Sequence, residues 1–325
     1  MKEFFVKDAA GSKGKVITSF FVVMSKEART RRDGGAYVQF LLADRTGLIQ
    51  GKLWERPELG EPIQPDQHVK LEGRINEYQQ RLEIAITRLR IAAAEEVDPA
   101  DFLPASSRSI DVMWAELANI IERVEDLHIR RLLRSFYEDE GIAPGLRRSP
   151  AAKSYHHAFL GGLLEHVISL CHLCELVQQN YPWLSRDLLW AGAILHDVGK
   201  IHELTCERSI NYTLRGELLG HIALGLEMVH AKIEALGTLS PELATVLEHL
   251  VLSHHGELQY GSPVEPATAE SLVFHLLDSL DAKLAALGTG FSQQSSGLWT
   301  DRIRSLDRRF LRVDSYLAGD RSSSS

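Results

Sequence analysis

The chain has 325 residues, 44% of them apolar and 25% charged, with a formal net charge of −8 at pH 7 and three cysteines. That length suits two ordinary domains with packed cores, and no apolar run reaches the roughly 18 residues that a membrane-spanning helix needs. The cysteine count excludes a disulfide scaffold, and Met1–Asp8 is too charged for a secretion signal, so the expected compartment is a reducing cytoplasm.

Residues 13–92 read as five strands. Lys15–Met24 is apolar and β-branched. Ala36–Leu42 leads through Asp44-Arg45-Thr46-Gly47, a hairpin turn signal, into Leu48–Trp54. Val69–Tyr78 and Arg81–Ile91 form a second candidate hairpin. In the second strand Val38, Phe40 and Leu42 alternate with Tyr37 and Gln39, and in the third Ile49, Gly51 and Leu53 alternate with Gln50, Lys52 and Trp54. Period-two alternation predicts one core face and one exposed face. The exposed set, Tyr37, Gln39, Gln50, Lys52 and Trp54, mixes aromatic, amide and cationic groups. The strands together resemble an OB-fold, a small β-barrel whose second and third strands commonly bind oligonucleotides. That resemblance implies that these five residues contact the substrate. The competing reading makes them the ordinary outer surface of a barrel. Residues 1–95 hold 16 Lys and Arg against 13 Asp and Glu, a mildly basic balance. Lys26, Arg29, Arg31 and Arg32 cluster before the second strand, as either a phosphate-tracking loop or a solvated one.

Asp98-Pro99, Leu103-Pro104 and Ser106-Ser107 mark a linker. A helical pattern follows from about Asp111 to Glu140, with Trp114, Leu117, Ile120, Ile121 and Val124 on one face and Ser109 or Asp111 as its cap. That face would pack on the next domain or form a homo-oligomer contact. Gly141–Pro150 reads as a loop.

Beyond residue 150, histidine and aspartate recur on segments that read as helices. The densest stretch is Ile194-Leu195-His196-Asp197-Val198-Gly199-Lys200. If it is helical, Lys200 lies beside His196, one turn on. His166 lies upstream, and His221, His254-His255 and Asp278 lie downstream. Seven such groups are too many for one tetrahedral ion and suit two ions sharing a carboxylate, an arrangement that serves in-line attack at phosphorus. Cys171-His172-Leu173-Cys174 has metal-site spacing but no second pair, and reads as core packing. Residues 156–288 hold 16 acidic against 6 basic residues, an excess that bound cations would offset. Gly288–Gly297 is rich in Gly, Ser and Gln and reads as mobile, and Ser322–Ser325 has no structural signal.

His166, His196-Asp197 and Asp278 match the four-ligand pattern of the HD-domain metal-dependent phosphohydrolases, and His221, His254 and His255 match the extra ligands of their binuclear members. The segment from His156-His157 to Glu165-His166 is a further recurring form of the first motif. The resemblance covers about residues 150–288. An OB-fold followed by an HD domain resembles the YhaM family of 3′-to-5′ exoribonucleases, as does the segment Leu298–Arg309. Arg309 and the residues after it depart from that family, for which a more aromatic and polar ending is expected.

The implied architecture is multidomain β plus α. Residues 1–95 form an OB barrel, 96–150 a linker and connecting helix, 151–288 an all-α HD bundle and 289–325 a C-terminal tail. The implied activity is metal-dependent 3′-5′ hydrolysis of single-stranded RNA, with DNA as a further substrate. The alternative is an HD-type nucleotide or cyclic-dinucleotide phosphohydrolase with an accessory OB domain. His166, His196, Asp197 and Asp278 would hold one ion, and Asp197 would bridge to a second held by His221, His254 and His255. Manganese stands first, with iron, cobalt or zinc as alternatives. Lys200 would contact the scissile phosphate, and Lys153, His156 and His157 are candidate substrate contacts. Asp281, one turn beyond Asp278, is its rival as ligand or a group that supports one.

Overall fold

A computed structural model describes residues 2–31, 34–78, 81–103, 105–106, 108–153, 159–206, 210–293 and 298–313. The chain forms two compact units, Met1–Ala105 with Cys206–Asn211, and Ser106–Thr205 with Tyr212–Ser325.

The first unit is a closed five-stranded barrel of β1 (Val16–Thr30), β2 (Ala36–Asp44), β3 (Gly47–Leu53), β4 (His68–Tyr78) and β5 (Arg81–Ile91). The strand order is β1-β2-β3-β5-β4, with β4 pairing back onto β1, so the sheet keeps no open edge. The predicted alternation holds on its inner face. Val38, Phe40 and Leu42 from β2 and Ile49 and Leu53 from β3 are buried among Phe21, Val23, Leu71, Ile75 and Ile84. Gly51 shares that face because a Cβ there would come within 2.7 Å of Leu42 and 2.8 Å of Ile86. The hairpin turn forms as its residues predict. Asp44 Oδ1 accepts from the Thr46 backbone N–H at 2.9 Å and from its hydroxyl at 2.6 Å.

β1 runs past the expected end at Met24 to Thr30. A register shift between Val23 and Ser25 explains the difference, since a bulge breaks the period-two pattern and hides the rest of the strand from it. Lys26 and Arg29 are therefore strand residues paired with Phe40 and Tyr37, not members of a loop. Arg32 lies outside the described residues.

The second unit is helical, with α1 (Ile110–Glu122), α2 (Leu127–Tyr137), α3 (Ala143–Arg148), α4 (Gly162–Asn180), α5 (Arg186–Leu195), α6 (Lys200–Glu203), α7 (Leu214–Leu236), α8 (Pro241–Ser253) and α9 (Ala269–Gln293). α4 and α5 pass through its core, where Trp190 is fully buried and donates its indole N–H to Cys171 O at 3.0 Å. Cys171 and Cys174 are buried there, and burial pushes the Cys174 thiol up to about 12, as suits packing rather than redox chemistry.

The single helix expected over 111–140 is two. Asp126 caps α2 by accepting the N–H groups of His128 and Ile129 at 2.8 and 2.9 Å. The Asp187 carboxylate takes the N–H groups of Glu125 and Asp126 at 2.9 and 2.7 Å. The apolar period continues across the break, so only the partner 61 residues away in sequence reveals it. Ser109 stands at the N-cap of α1 but its side chain makes no cap hydrogen bond. Gly141–Pro150 contains α3 rather than a loop alone, with Leu146 buried. Gly288–Gln293 is not mobile coil but the last turn and a half of α9, and residues 294–297 lie outside the described set, as do 314–325.

Replacing Asp126 by Ala should remove the α2 cap and destabilise the protein by about 0.5–2 kcal/mol. Thermal unfolding followed by far-ultraviolet circular dichroism should show a lowered Tm. An unchanged Tm would mean that Asp187 alone holds the break.

Candidate metal centre

Helices and the turns after them deliver histidine and aspartate to one place in the helical unit. α4 supplies His166, α7 supplies His221 and α9 supplies Asp278. His196 closes α5 and His254 closes α8, each followed directly by a second candidate ligand, Asp197 and His255. A helix C-terminus leaves its last carbonyls without intrahelical donors. His196 Nδ1 donates to Ala193 O at 3.1 Å, and His254 Nδ1 donates to Val251 O at 2.7 Å. A carbonyl only accepts, so Nδ1 carries the proton and Nε2 keeps its lone pair.

The other histidines are held similarly. His255 Nδ1 donates to Tyr260 O at 2.9 Å. His221 Nδ1 donates to Glu203 Oε1 at 3.0 Å, and the same oxygen accepts the His221 backbone N–H at 2.9 Å. That N–H is free for Glu203 because α7 breaks at Gly220, whose φ of 71° glycine adopts without strain. Gly199 sets the approach of the Asp197 turn to α7, since a Cβ there would fall 2.0 Å from His221 O.

Asp197 lies between two sets of imidazoles. Its Oδ2 is 3.2 Å from His196 Nε2 and 4.0 Å from His166 Nε2. Its Oδ1 is 3.4 Å from His221 Nε2 and 3.8 Å from His254 Nε2. Asp278 Oδ1 joins the first set, 3.1 Å from His166 Nε2 and 3.9 Å from His196 Nε2. In each of the groups His166–His196–Asp197 and His221–His254–His255, the ligand atoms lie within 4.8 Å of one another. Asp197 Oδ1 and the Nε2 atoms of His196, His221 and His254 are buried with no hydrogen-bond partner. Buried polar atoms ordinarily have one. Converging imidazole lone pairs and carboxylate oxygens form a donor set that fits divalent metal ions.

Electrostatics agree with a charged, desolvated centre. Burial raises the Asp197 carboxyl, but Lys200, His196 and His221 together hold it well below the usual range. Burial pushes His254 well down, aided by His196, and burial with His221 lowers His255. His166 goes the other way. Burial opposes its protonation, yet hydrogen bonds to Asp278 and Asp281 lift it to about 9. Asp281, the rival to Asp278 by spacing, faces His166 Nδ1 at 2.8 Å, and its other oxygen accepts from the Ser169 hydroxyl. It thus grips the far side of the ring from Asp278.

Lys200 differs from the helical expectation. α5 ends before His196, so the stretch to Lys200 is a turn, and the ammonium meets Asp197 Oδ2 at 2.5 Å instead of lying beside His196. Lys200 and the centre open onto a cleft of about 880 Å³ whose wall also holds Lys153, Tyr212, Glu257, Tyr260, His275 and Lys283. Lys153 Nζ stands 5.3 Å from the Tyr212 ring centroid. His156 and His157 lie outside the described residues. Sequence reasoning missed Glu203 and Tyr260, which orient His221 and His255. The Glu203 signal was faint, a carboxylate three residues after Lys200, and Tyr260 acts through its main chain, which no residue type announces.

On the barrel, Tyr37 and Trp54 stack with ring centroids 4.3 Å apart and an interplanar angle of 24°. Arg31 lies over the Trp54 ring at 5.1 Å. Gln39 pairs across the strands with Lys52, and Gln50 with Leu41 on β2 and Glu83 on β5. Tyr37, Gln39, Gln50 and Trp54 are half-buried on this outer face. Lys52 corrects the expectation of exposure. It is buried, 2.6 Å from Glu83 Oε2, because the β5 strand that pairs with β3 brings an acid beside it.

A five-stranded barrel of this topology joined to a helical unit with a buried His/Asp centre defines a nucleic-acid-binding module coupled to a metal-site domain. The chain matches the family models described as OB-fold nucleic acid binding domain over residues 22–92 and HD domain over residues 163–283. It is 34% identical over 301 residues to the 3′-5′ exoribonuclease YhaM of Oceanobacillus iheyensis, covering 91% of this chain and 93% of that one. It is likewise 34% identical over 301 residues to the 3′-5′ exoribonuclease YhaM of Geobacillus sp. (strain WCH70), covering 91% of each. The chain belongs to the YhaM 3′-5′ exoribonuclease family. Among the described residues, no helix is long and apolar enough to cross a membrane.

The raised His166 predicts a pH dependence of the metal-free protein. A folded-state value of about 9 against an ordinary 6.5 stabilises the fold fully below pH 6.5, and that contribution is lost as pH rises through about 9. Urea unfolding of chelator-treated protein from pH 6 to pH 10 should show stability falling across this window, and Asp281→Asn should flatten the fall. Equal pH profiles for the two proteins would mean that Asp281 does not hold the His166 proton.

Proposed function

We propose that this protein is a metal-dependent 3′-5′ exoribonuclease that hydrolyses single-stranded RNA at the cleft of the helical unit. The observation that carries the reading is Asp197, a buried carboxylate with one oxygen toward each of two imidazole groups, in a chain of the YhaM family. His166, His196, Asp197 and Asp278 would hold one divalent ion. His221, His254 and His255 would hold a second, with Asp197 shared. Manganese is the first choice, and iron, cobalt or zinc suit the same donors. Bound ions would supply Lewis-acid polarisation of the phosphodiester and a lowered pKa for the attacking water.

The protein's own groups do the rest. The outer acceptors at Ala193, Val251, Glu203, Tyr260 and Asp281 would keep the imidazoles oriented as the ions load. Lys200, at the cleft wall, would move from Asp197 toward the scissile phosphate as the ions neutralise that carboxylate. Lys153 at the rim would meet the strand's backbone. The Tyr37–Trp54 pair, with Gln39 and Gln50 beside it, would receive bases by stacking and hydrogen bonding, with Lys52 held by Glu83 beneath. The OB module favours a strand over a small nucleotide or cyclic dinucleotide, and it would take single-stranded DNA by the same contacts. We place the enzyme in the cytoplasm, where the buried Cys171 and Cys174 thiols stay reduced.

Asp197→Ala should abolish hydrolysis of 5′-labelled single-stranded RNA and lower the metal content measured by elemental analysis, because the carboxylate serves both ions. Turnover near that of the unchanged protein would move the site elsewhere. Replacing Tyr37 and Trp54 together by Ala should weaken binding of a single-stranded oligonucleotide by about 1–3 kcal/mol, the worth of one stacked base, since the two rings already cover one face of each other. Turnover of a small model phosphodiester should survive that change. Unchanged oligonucleotide affinity would assign the barrel to assembly or to a protein partner.

A further inference from the structure

The cleft wall carries four carboxylates, and three are committed to the centre. Asp197 and Asp278 face the imidazoles and Glu203 holds His221. Glu257 is the fourth. It is exposed, its side chain is bonded to Gln259, and it stands in a cleft that also carries the cations Lys153, Lys200 and Lys283. A carboxylate only accepts hydrogen bonds and repels phosphate. In a cleft meant for a polyanion it is unfavourable unless the part of the substrate that reaches it offers hydroxyl donors. An RNA strand offers paired hydroxyls in the absence of phosphate at one place, its 3′ end.

The loop that carries Glu257 ties its main chain to the centre. The Glu257 N–H donates to His255 O at 3.0 Å, the Tyr260 N–H donates to Glu257 O at 2.9 Å, and His255 Nδ1 donates to Tyr260 O at 2.9 Å. These three bonds close a ring that ties Glu257 to the histidine two residues before it. Gly256 (φ 80°) supplies a left-handed turn within the ring, and Gly261 (φ 88°) a second directly after it. Gly256 also packs so tightly that a Cβ there would fall 2.2 Å from the His275 ring, whose Nδ1 donates to His254 O at 3.1 Å. One Glu257 oxygen, Oε2, accepts from the Gln259 amide, which orients the carboxylate.

We infer that Glu257 is a specificity-determining residue that accepts the terminal ribose hydroxyls of the RNA, so that the enzyme takes strands ending in a free 3′-hydroxyl and rejects strands ending in a 3′-phosphate. The inference rests on the exoribonuclease reading above. The terminal ribose sits at Glu257, its own 5′-phosphate sits at the histidine–aspartate centre, and the upstream strand leaves past Lys153 and Lys283. A 3′-phosphate would put two like charges at Glu257.

The test uses full-length, metal-loaded protein and Glu257→Gln, with 5′-labelled single-stranded RNA of one sequence ending in either a 3′-hydroxyl or a 3′-phosphate. The expected result is that the unchanged protein prefers the hydroxyl end, and that Glu257→Gln narrows the ratio of kcat/KM by roughly tenfold or more, the size of one lost charge-assisted hydrogen bond. Turnover of bis(p-nitrophenyl) phosphate, metal content and circular dichroism should stay the same in the variant. If both proteins degrade RNA with the same end preference, or if the unchanged protein has none, the inference is overturned and the exoribonuclease reading stands. If the unchanged protein leaves both RNAs intact while hydrolysing the model ester, the exoribonuclease reading itself falls, and this inference with it.

Discussion

The helical unit is organised around a buried negative charge. Removing a carboxylate from water costs several kcal/mol unless opposite charge and hydrogen bonds offset it, and Asp197 is only 2% exposed. Lys200 supplies part of the offset directly, and cations held by the imidazoles on both sides would supply the rest. This requirement explains features that look unrelated along the chain. α5 and α8 both end on a histidine, because a helix C-terminus offers a bare carbonyl that fixes one ring nitrogen and frees the other. Glycine stands at 199 and 220 because backbone must press against backbone, or turn left-handed, to bring α7 to the carboxylate.

An arrangement in which the outer nitrogens are occupied while Asp197 Oδ1 and the inner nitrogens of His196, His221 and His254 have no hydrogen-bond partner is preorganised for cations and unfavourable without them. His166 shows the tension most clearly. With Asp278 on one side and Asp281 on the other, it gathers a proton where a proposed ligand would need a lone pair. Proton and metal would therefore compete for the same nitrogen. The acidic excess of residues 156–288 has the same logic, since charge that repels itself in the metal-free protein is what bound cations offset.

The barrel solves a different problem. Closure through β3–β5 and β1–β4 removes sheet edges and leaves an outer face for other uses. On that face aromatic rings and amides sit above an ion pair, Lys52–Glu83, that is satisfied within the barrel. Affinity there would come from stacking and from the arginine over Trp54 more than from the buried lysine, whose charge is already answered. The two units thus divide the task chemically, one presenting π surface and the other converging lone pairs.

Residue type and order by themselves determined a good deal. Alternation in β2 and β3 separated Phe40 and Leu42 from Tyr37 and Gln39, because a strand's side chains can only go one way or the other. The turn at Asp44–Gly47 was legible for the same local reason, and His196-Asp197 among helical histidines named the chemistry because few other side chains ligate metals. What depended on distant partners was decided by the tertiary structure alone. The break between α1 and α2 is held by Asp187, the continuation of β1 by pairing beyond a bulge, and the burial of Lys52 by Glu83 on β5. Asp278 and Asp281 are equivalent as letters, both one turn apart on α9. Only the packing of α9 against α4 sets one at each nitrogen of His166. A sequence carries the donors, but which lone pair faces which neighbour is a property of helices meeting in space.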